Sequence, residues 1–204
     1  MIEVFADIGC PFTHLGLHRF VQKRREAGRD DVRLWVRAWP LEIVNGTPLD
    51  PPFIAEEVAD LRDQVAPDLF AGFDEHAFPA STLPAMALAA YAYEAGADVG
   101  ERISLELRDL LFEQGVDVGE LAVLHELAQR HDLDVTDDHL LDDARVRTDH
   151  AEGERRGVLG SPHFFTPDGG FFCPALDVER DDRGHLRIHA DPEAFEAFVG
   201  GCLA

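Results

Sequence analysis

ADIGCPFTHLG, residues 6–16, joins an apolar run to a helix-like pattern through a cysteine and a proline. Upstream, Ile2-Glu3-Val4-Phe5-Ala6 combines alternation with β-forming residues and predicts a strand. Downstream, Pro11 suits a helix's first turn, where its missing N–H removes no hydrogen bond, and Leu15, Leu17, Phe20 and Val21 form an apolar stripe up to Gly28. Cys10 therefore falls where a strand gives way to a helix start. A C-x-x-C redox pair would need cysteine at position 13, and this chain has Thr13.

Working outward, VRLWVRAW, residues 32–39, alternates as a second strand, parallel to the first through the intervening helix. Pro40 and NGTPLDPP end it. From about residue 53 to 157 the pattern is helical, with helices predicted at 53–65, 82–95, 100–114, 118–131 and 137–156, punctuated by proline and glycine. PHFFTPDGGFF then predicts a hairpin turning at Asp168-Gly169-Gly170, and HLRIH, residues 185–189, a further edge strand. Asp191 is an N-cap candidate, with Pro192 opening a last helix to about Gly200. The order is β-α-β, a block of helices, a β-hairpin and α.

At 204 residues the chain fits one domain, or a domain with a large insertion, and can bury roughly 70% of its unfolded surface without disulfides. Cys10, Cys173 and Cys202 are too few and too scattered for a disulfide framework or a zinc cluster. Forty acidic against 18 basic residues give a formal charge of −22, which argues against nucleic acid and anionic membranes as partners. No stretch reaches the roughly 18 apolar residues of a membrane helix. MIEVFADIGC has no export-signal pattern, so a reducing cytoplasm is the expected location, where Asn45-Gly46-Thr47 serves as a turn.

CPFTHLGLHRF, at the start of the first helix, and GVLGSPHFF, residues 157–165, resemble two motifs of the DsbA-like branch of the thioredoxin superfamily. The resemblance extends to its cytoplasmic group related to 2-hydroxychromene-2-carboxylate isomerases and kappa-class glutathione transferases. It implies an α/β, thioredoxin-like fold with a helical insertion between the second strand and the cis-proline strand. Residues 1–52 and 158–204 would form the thioredoxin-like domain and 53–157 the inserted helical subdomain. It also implies a cis Ser161-Pro162 peptide facing Cys10, with the backbone of Ser161 aimed at an extended ligand. Glutathione or another low-molecular-weight thiol would be the cofactor, with an unknown small or peptide substrate as second partner and a homodimer as an allowed assembly. Two departures matter. Dithiol members carry a second cysteine where this chain has Thr13, and the isomerases and transferases carry serine where it has Cys10.

A thiol at a helix start faces unpaired N–H groups and the positive end of the helix dipole, which favour the thiolate. Thr13 can donate its hydroxyl to that thiolate but cannot resolve a mixed disulfide, so release needs a small external thiol. Cys10 and Thr13 are thus the catalytic candidates, and Pro11, Phe12, Ser161, Pro162 and His163 the candidates for binding thiol or substrate. Each has a plainer reading: Cys10 as a buried core thiol, Pro162 as a trans proline opening a strand, His163 as a strand residue with a satisfied ring. Cys10, His14 and His18 at i, i+4 and i+8 make a conceivable zinc set. A helix turn rises about 5.4 Å, too much for the ends of that set to share one ion, so no metal is expected and the histidines are read as solvated or half-buried. Phe12, Trp39, Phe164 and Phe165 either wall a pocket or pack the core, and Cys173 and Cys202 are read as structural. The expected function is a thiol-dependent oxidoreductase or transferase. A thiol-cofactor-dependent isomerase or transferase, or a non-catalytic binding module, are the alternatives.

Overall fold

The computed structural model describes residues 1–182 and 184–204. The first predicted strand forms β1 (Ile2–Ala6), where Val4 and Phe5 are both buried although they point to opposite faces, because both faces are covered. The predicted helix follows as α1 (Pro11–Glu26) and the second strand as β2 (Leu34–Ala38), parallel to β1, with Ile2 opposite Leu34 and Ala6 opposite Ala38. On the other side of β1 lie β3 (His163–Thr166) and then β4 (Gly169–Phe172), both in antiparallel pairings, giving the strand order β2-β1-β3-β4. This is the thioredoxin-like arrangement.

Between β2 and β3 the chain is helical: α2 (Leu41–Asn45), α3 (Pro51–Gln64), a 3₁₀ turn at Glu75–Ala77, α4 (Leu83–Ala95), α5 (Ala97–Gln114), α6 (Leu121–Arg130), α7 (Asp137–Leu141) and α8 (Ala144–Arg156). The single helix expected over 137–156 is broken at Asp142 and Asp143. Asp142 leaves the helical region, at φ −81° and ψ 102°, and its carboxylate accepts the Ala144 N–H at 3.0 Å, the local bond by which aspartate competes with a helix. The short α2, closed by Gly46 at φ 71°, is not visible in the sequence pattern.

The HLRIH strand corrects a second expectation. It is β6 (Leu186–Ala190), and it pairs antiparallel with β5 (Leu176–Arg180) in a separate two-stranded sheet, not at the edge of the main one. Side chains of α3 occupy its free edge. The Leu186 N–H donates to Asp60 and the Ile188 N–H to Gln64, while the Gln64 amide donates to the Leu186 carbonyl. These contacts satisfy backbone groups that a paired strand would otherwise take up, and Leu186 and Ile188 join the apolar core of the helices. The chain ends in α9 (Pro192–Leu203), with Asp191 capping Ala194 N–H as expected.

One face of the main sheet packs Val4 and Phe164 against Phe20 of α1 and Phe198 of α9. On the other, Phe5, Trp39 and Val158 form a smaller cluster beneath α8. Gly153 permits that approach, since a Cβ there would lie 2.6 Å from the Trp39 ring. No described helix is long and apolar enough to cross a membrane.

Candidate active site

Cys10 is the residue before α1, in extended conformation, with Pro11 opening the helix. Gly9 lets the chain arrive there, because a Cβ on it would sit 2.9 Å from Leu49 Cδ1 and 3.1 Å from Thr82 Cγ2. The Ser161-Pro162 peptide is cis and lies across from the helix start. The Cys10 thiol donates to the Ser161 carbonyl at 3.2 Å. The Ser161 hydroxyl accepts the Asp7 N–H at 2.8 Å and shares a 2.7 Å hydrogen bond with the Thr13 hydroxyl. Cys10, Thr13, Ser161 and Pro162 are therefore one buried cluster, with Cys10 only 5% exposed.

The electrostatics correct the expectation of a favoured thiolate. Burial raises the Cys10 pKa above the ordinary thiol range, against hydrogen bonds from Thr13 and Ser161 that favour the charged form, and the carboxylate of Glu57 adds to the rise. The helix start is present, but desolvation of a nearly water-free sulfur outweighs it. Glu57, on α3, is itself pushed up to about 7 by burial, with Arg180 pulling it back.

Behind Cys10 lies a buried polar layer that the sequence reading missed. The Asp7 carboxylate accepts the N–H groups of Gly9 (2.8 Å) and Leu41 (2.6 Å) and the Thr82 hydroxyl (3.0 Å). Burial raises its pKa to about 6, opposed by those three bonds and by the Arg108 charge. The Arg108 guanidinium donates to the Asp7 carbonyl at 3.2 Å and to the carbonyl and hydroxyl of Ser104, and burial lowers its pKa to about 10. Its position was legible: Arg108 interrupts the apolar set Ile103, Leu107, Leu110 and Leu111 of α5, where a lone charge needs an internal partner.

Residues 1–180 match the DSBA-like thioredoxin domain. The chain belongs to that family. Its fold is similar to that of a probable DsbA oxidoreductase from Streptomyces coelicolor, at 22% identity and a TM-score of 0.64 over 98% of this chain and 88% of that one. It is also similar to a 2-hydroxychromene-2-carboxylate isomerase, at 14% identity and a TM-score of 0.61 over 84% and 87%. The cytosolic disulfide reductase DsbM from Pseudomonas aeruginosa, solved with GSH, is more distant, with a TM-score of 0.44 at 17% identity over 98% and 96%. At these identities the first two likenesses show the fold. No curated protein matches the chain by sequence.

Within this DsbA-like frame the other expected residues divide. Pro11 is buried at the helix start, and Phe12 is half-buried against the helical core. His163 lies on the opposite sheet face from Pro162. Its ring stacks on Phe165 at 4.8 Å, its Nδ1 accepts the Leu159 N–H at 3.2 Å, and burial, with Arg156 nearby, lowers its pKa. It does not reach the thiol. Trp39, Phe164 and Phe165 pack in the core clusters.

His14 corrects the reading of the histidines. It is 1% exposed, packed against Phe70 and Phe112, and its Nε2 meets Glu113 at 2.6 Å. Burial lowers its pKa against the pull of Glu113. His18 is half-buried and meets Asp109 at 3.0 Å. Among the described residues the grouping with metal-ligand spacing is His14, His18 and Asp109, without Cys10, and each ring already has a carboxylate partner.

Cys202, on α9, packs in the α1–α9 core, as expected of a structural thiol. Cys173 differs, because the sheet carries it to the cis-proline: its N–H donates to the Pro162 carbonyl at 2.9 Å.

Several grooves mark the surface of the described residues, one of them, about 420 Å³, beside His14, His18 and Arg108. A groove of about 630 Å³ lies near Met1 and Trp35, at the far end of the strands from Cys10. A groove of about 330 Å³ runs past Gly16, Pro174 and Ala175, with Arg19 and Lys23 on its rim. It begins beside the cis-proline, since a Cβ on Gly16 would touch Pro162 at 3.7 Å.

Proposed function

We propose that the protein is a DsbA-like thiol-dependent oxidoreductase or transferase in which Cys10 is the reactive group and a small cellular thiol, of the glutathione type, takes the place of a second active-site cysteine. The observation that carries this reading is the hydrogen bond from the Cys10 thiol to the Ser161 carbonyl at the start of α1. It supports a sulfur held where an extended thiol ligand would lie along the Ser161-Pro162 backbone. The groove beside Pro162 supports a small extended ligand by its apolar floor, while Arg19 and Lys23 on its rim are already paired with Asp68 and Glu196.

In this reading ionised Cys10 attacks one sulfur of a disulfide R–S–S–R′, forming Cys10–S–S–R and releasing R′–S⁻, and a second thiol molecule regenerates Cys10 by the reverse exchange. Because burial raises the Cys10 pKa, exchange is slow at neutral pH and accelerates about tenfold per pH unit until Cys10 ionises. The test is intact mass after incubation with oxidised glutathione, in wild type and Cys10→Ser. The expected result is oxidation of Cys10, seen as a glutathione adduct or as a disulfide formed from that adduct, that reduced glutathione reverses and that Cys10→Ser abolishes. An unmodified wild-type chain at pH 9 overturns it.

One observation favours a second reading. A thiol that burial keeps protonated is a neutral hydrogen-bond donor, the role that serine fills in the isomerase and transferase relatives. Cys10 would then orient the sulfur of a bound thiol cofactor without forming a bond to it. Under that reading Cys10→Ser retains thiol binding and turnover, whereas under the first it loses exchange.

A further inference from the structure

Cys173 follows β4, and the β3–β4 register, which pairs His163 with Phe172, sets it opposite Pro162. Residues opposed in an antiparallel pair have Cα atoms about 4.5–5.5 Å apart. The Cys173 N–H donates to the Pro162 carbonyl, while the Cys10 thiol donates to the Ser161 carbonyl. Two cysteines 163 positions apart in sequence thus hold successive carbonyls of one dipeptide. Cys10 precedes α1, which covers one face of the sheet. Phe164 and Phe171 point toward α1 and α9, where both pack on Phe198, and Cys173 is two residues beyond Phe171 in the strand direction. Both thiols are free and buried, Cys10 at 5% and Cys173 at 8% exposure.

The backbone at this point is unusual. Cys173 has φ +42° and Ala175 φ +66°, left-handed values that disfavour a side chain by about 1–2 kcal/mol per residue. Burial raises the Cys173 pKa to about 12, and the charge of Cys10 adds to the rise.

We propose that Cys173 is the resolving thiol of Cys10, supplying from the sheet the second cysteine that the helix lacks at Thr13. The inference rests on the reading of Cys10 as an exchanging thiol and changes it in one point: Cys173 resolves the mixed disulfide, and the small thiol acts afterwards, reducing the Cys10–Cys173 bond. After Cys10 has formed a mixed disulfide with a low-molecular-weight thiol, the Cys173 sulfur attacks Cys10 Sγ. The Cys10–Cys173 bond forms, the Cys10–S–S–R bond breaks, and R–S⁻ leaves, taking up the proton that Cys173 gives up. One R–S–S–R′ is reduced to two thiols as the two protein thiols are oxidised to one disulfide, and two molecules of small thiol reverse it. In the mixed disulfide Cys10 carries no charge, so that part of the rise in the Cys173 pKa disappears when attack is required. Cys173 immediately precedes Pro174 and Ala175, which line the groove proposed for the small thiol.

The experiment treats the full, reduced chain with oxidised glutathione and follows intact mass and non-reducing peptide maps for wild type, Cys173→Ser and Cys202→Ser. Wild type is expected to lose two hydrogens and to yield a peptide pair joined through Cys10 and Cys173, with the glutathione adduct only transient. Cys173→Ser is expected to accumulate one glutathione on Cys10 with a lifetime at least about tenfold longer, because resolution becomes bimolecular. Cys202→Ser should behave as wild type. A stable Cys10 adduct in wild type, with no Cys10–Cys173 link, overturns the role of Cys173 and leaves that of Cys10 intact. Absence of any adduct or link on Cys10 overturns both. The wild-type peptide map decides the matter even if Cys173→Ser does not fold.

Discussion

Thr13 and Ser161 meet through their hydroxyls at 2.7 Å, deep in the protein, at the helix position where a dithiol relative carries its second cysteine. Thr13 therefore ties α1 to the cis-proline segment, and through it the Cys10 thiol to the Ser161 carbonyl. Its hydroxyl also favours the Cys10 thiolate.

Thr13→Val keeps the shape and removes the hydroxyl. A buried hydroxyl loses a partner, which costs about 1–2 kcal/mol of stability. Cys10 loses a bond that favours its charged form, so its pKa rises further and alkylation by iodoacetamide at pH 8 slows several-fold. Urea denaturation and alkylation kinetics check the two halves. An unchanged alkylation rate would mean that Thr13 acts on the fold alone.

Glu57→Gln acts in the opposite direction. The Glu57 carboxylate raises the Cys10 pKa by its charge, and Glu57 itself titrates near pH 7. The variant removes that charge while its amide oxygen still accepts from Arg180, whose side chain is partly exposed and can be solvated. Alkylation of Cys10 at pH 8 is expected to quicken by a few-fold over wild type. The ratio should shrink toward one at pH 6, where wild-type Glu57 is largely neutral. A ratio independent of pH would show that the substitution acts by repacking and not by charge.

The strand-helix-strand opening, the helical block and the hairpin were legible because each rests on local signals: a proline at a helix start, alternation in IEVFA and VRLWVRAW, a glycine turn between aromatic pairs; the Cys10–Ser161–Pro162 cluster followed only from the resemblance of CPFTHLGLHRF and GVLGSPHFF to two family motifs. The placement of β5 and β6 was not legible, since alternation in LDVER and HLRIH does not say which sheet they join, and the free edge of β6 is taken by Asp60 and Gln64, far away in sequence. The thiol's protonation state was not legible either. A helix start is a local feature, but the burial that overrides it comes from packing across the whole chain. Cys173 read as structural because spacing alone does not reveal the register that sets it opposite Pro162. Asp7 and Arg108 left a weaker trace, as charges lodged in apolar patterns.

Asp7 makes the protein more stable in mild acid than at neutrality. Its carboxyl is fully buried, and burial lifts its pKa to about 6, against about 3.9 in the unfolded chain. This is the reverse of the usual carboxylate case. Between about pH 4 and 6 the folded state holds a proton that the unfolded state has released, so stability falls as pH rises through that window, by about 3 kcal/mol in all if this group acts alone. Glu57 contributes in the same direction up to about pH 7. Glu113 opposes, but only below the window. There His14 and the N–H groups of Phe70 and Ala71 hold it at about 2 despite burial, and its contribution is lost as the pH falls below about 4. Asp7→Asn separates Asp7 from the rest. The amide titrates nowhere and presents a donor where the carboxylate accepts from Gly9, Leu41 and Thr82, so the variant is less stable at every pH. Its stability should nevertheless change less between pH 4.5 and 6.5 than that of wild type, by close to one proton's worth of slope. Urea titrations at the two pH values measure this, and equal slopes in the two proteins would show that the Asp7 carboxyl is ionised throughout the range.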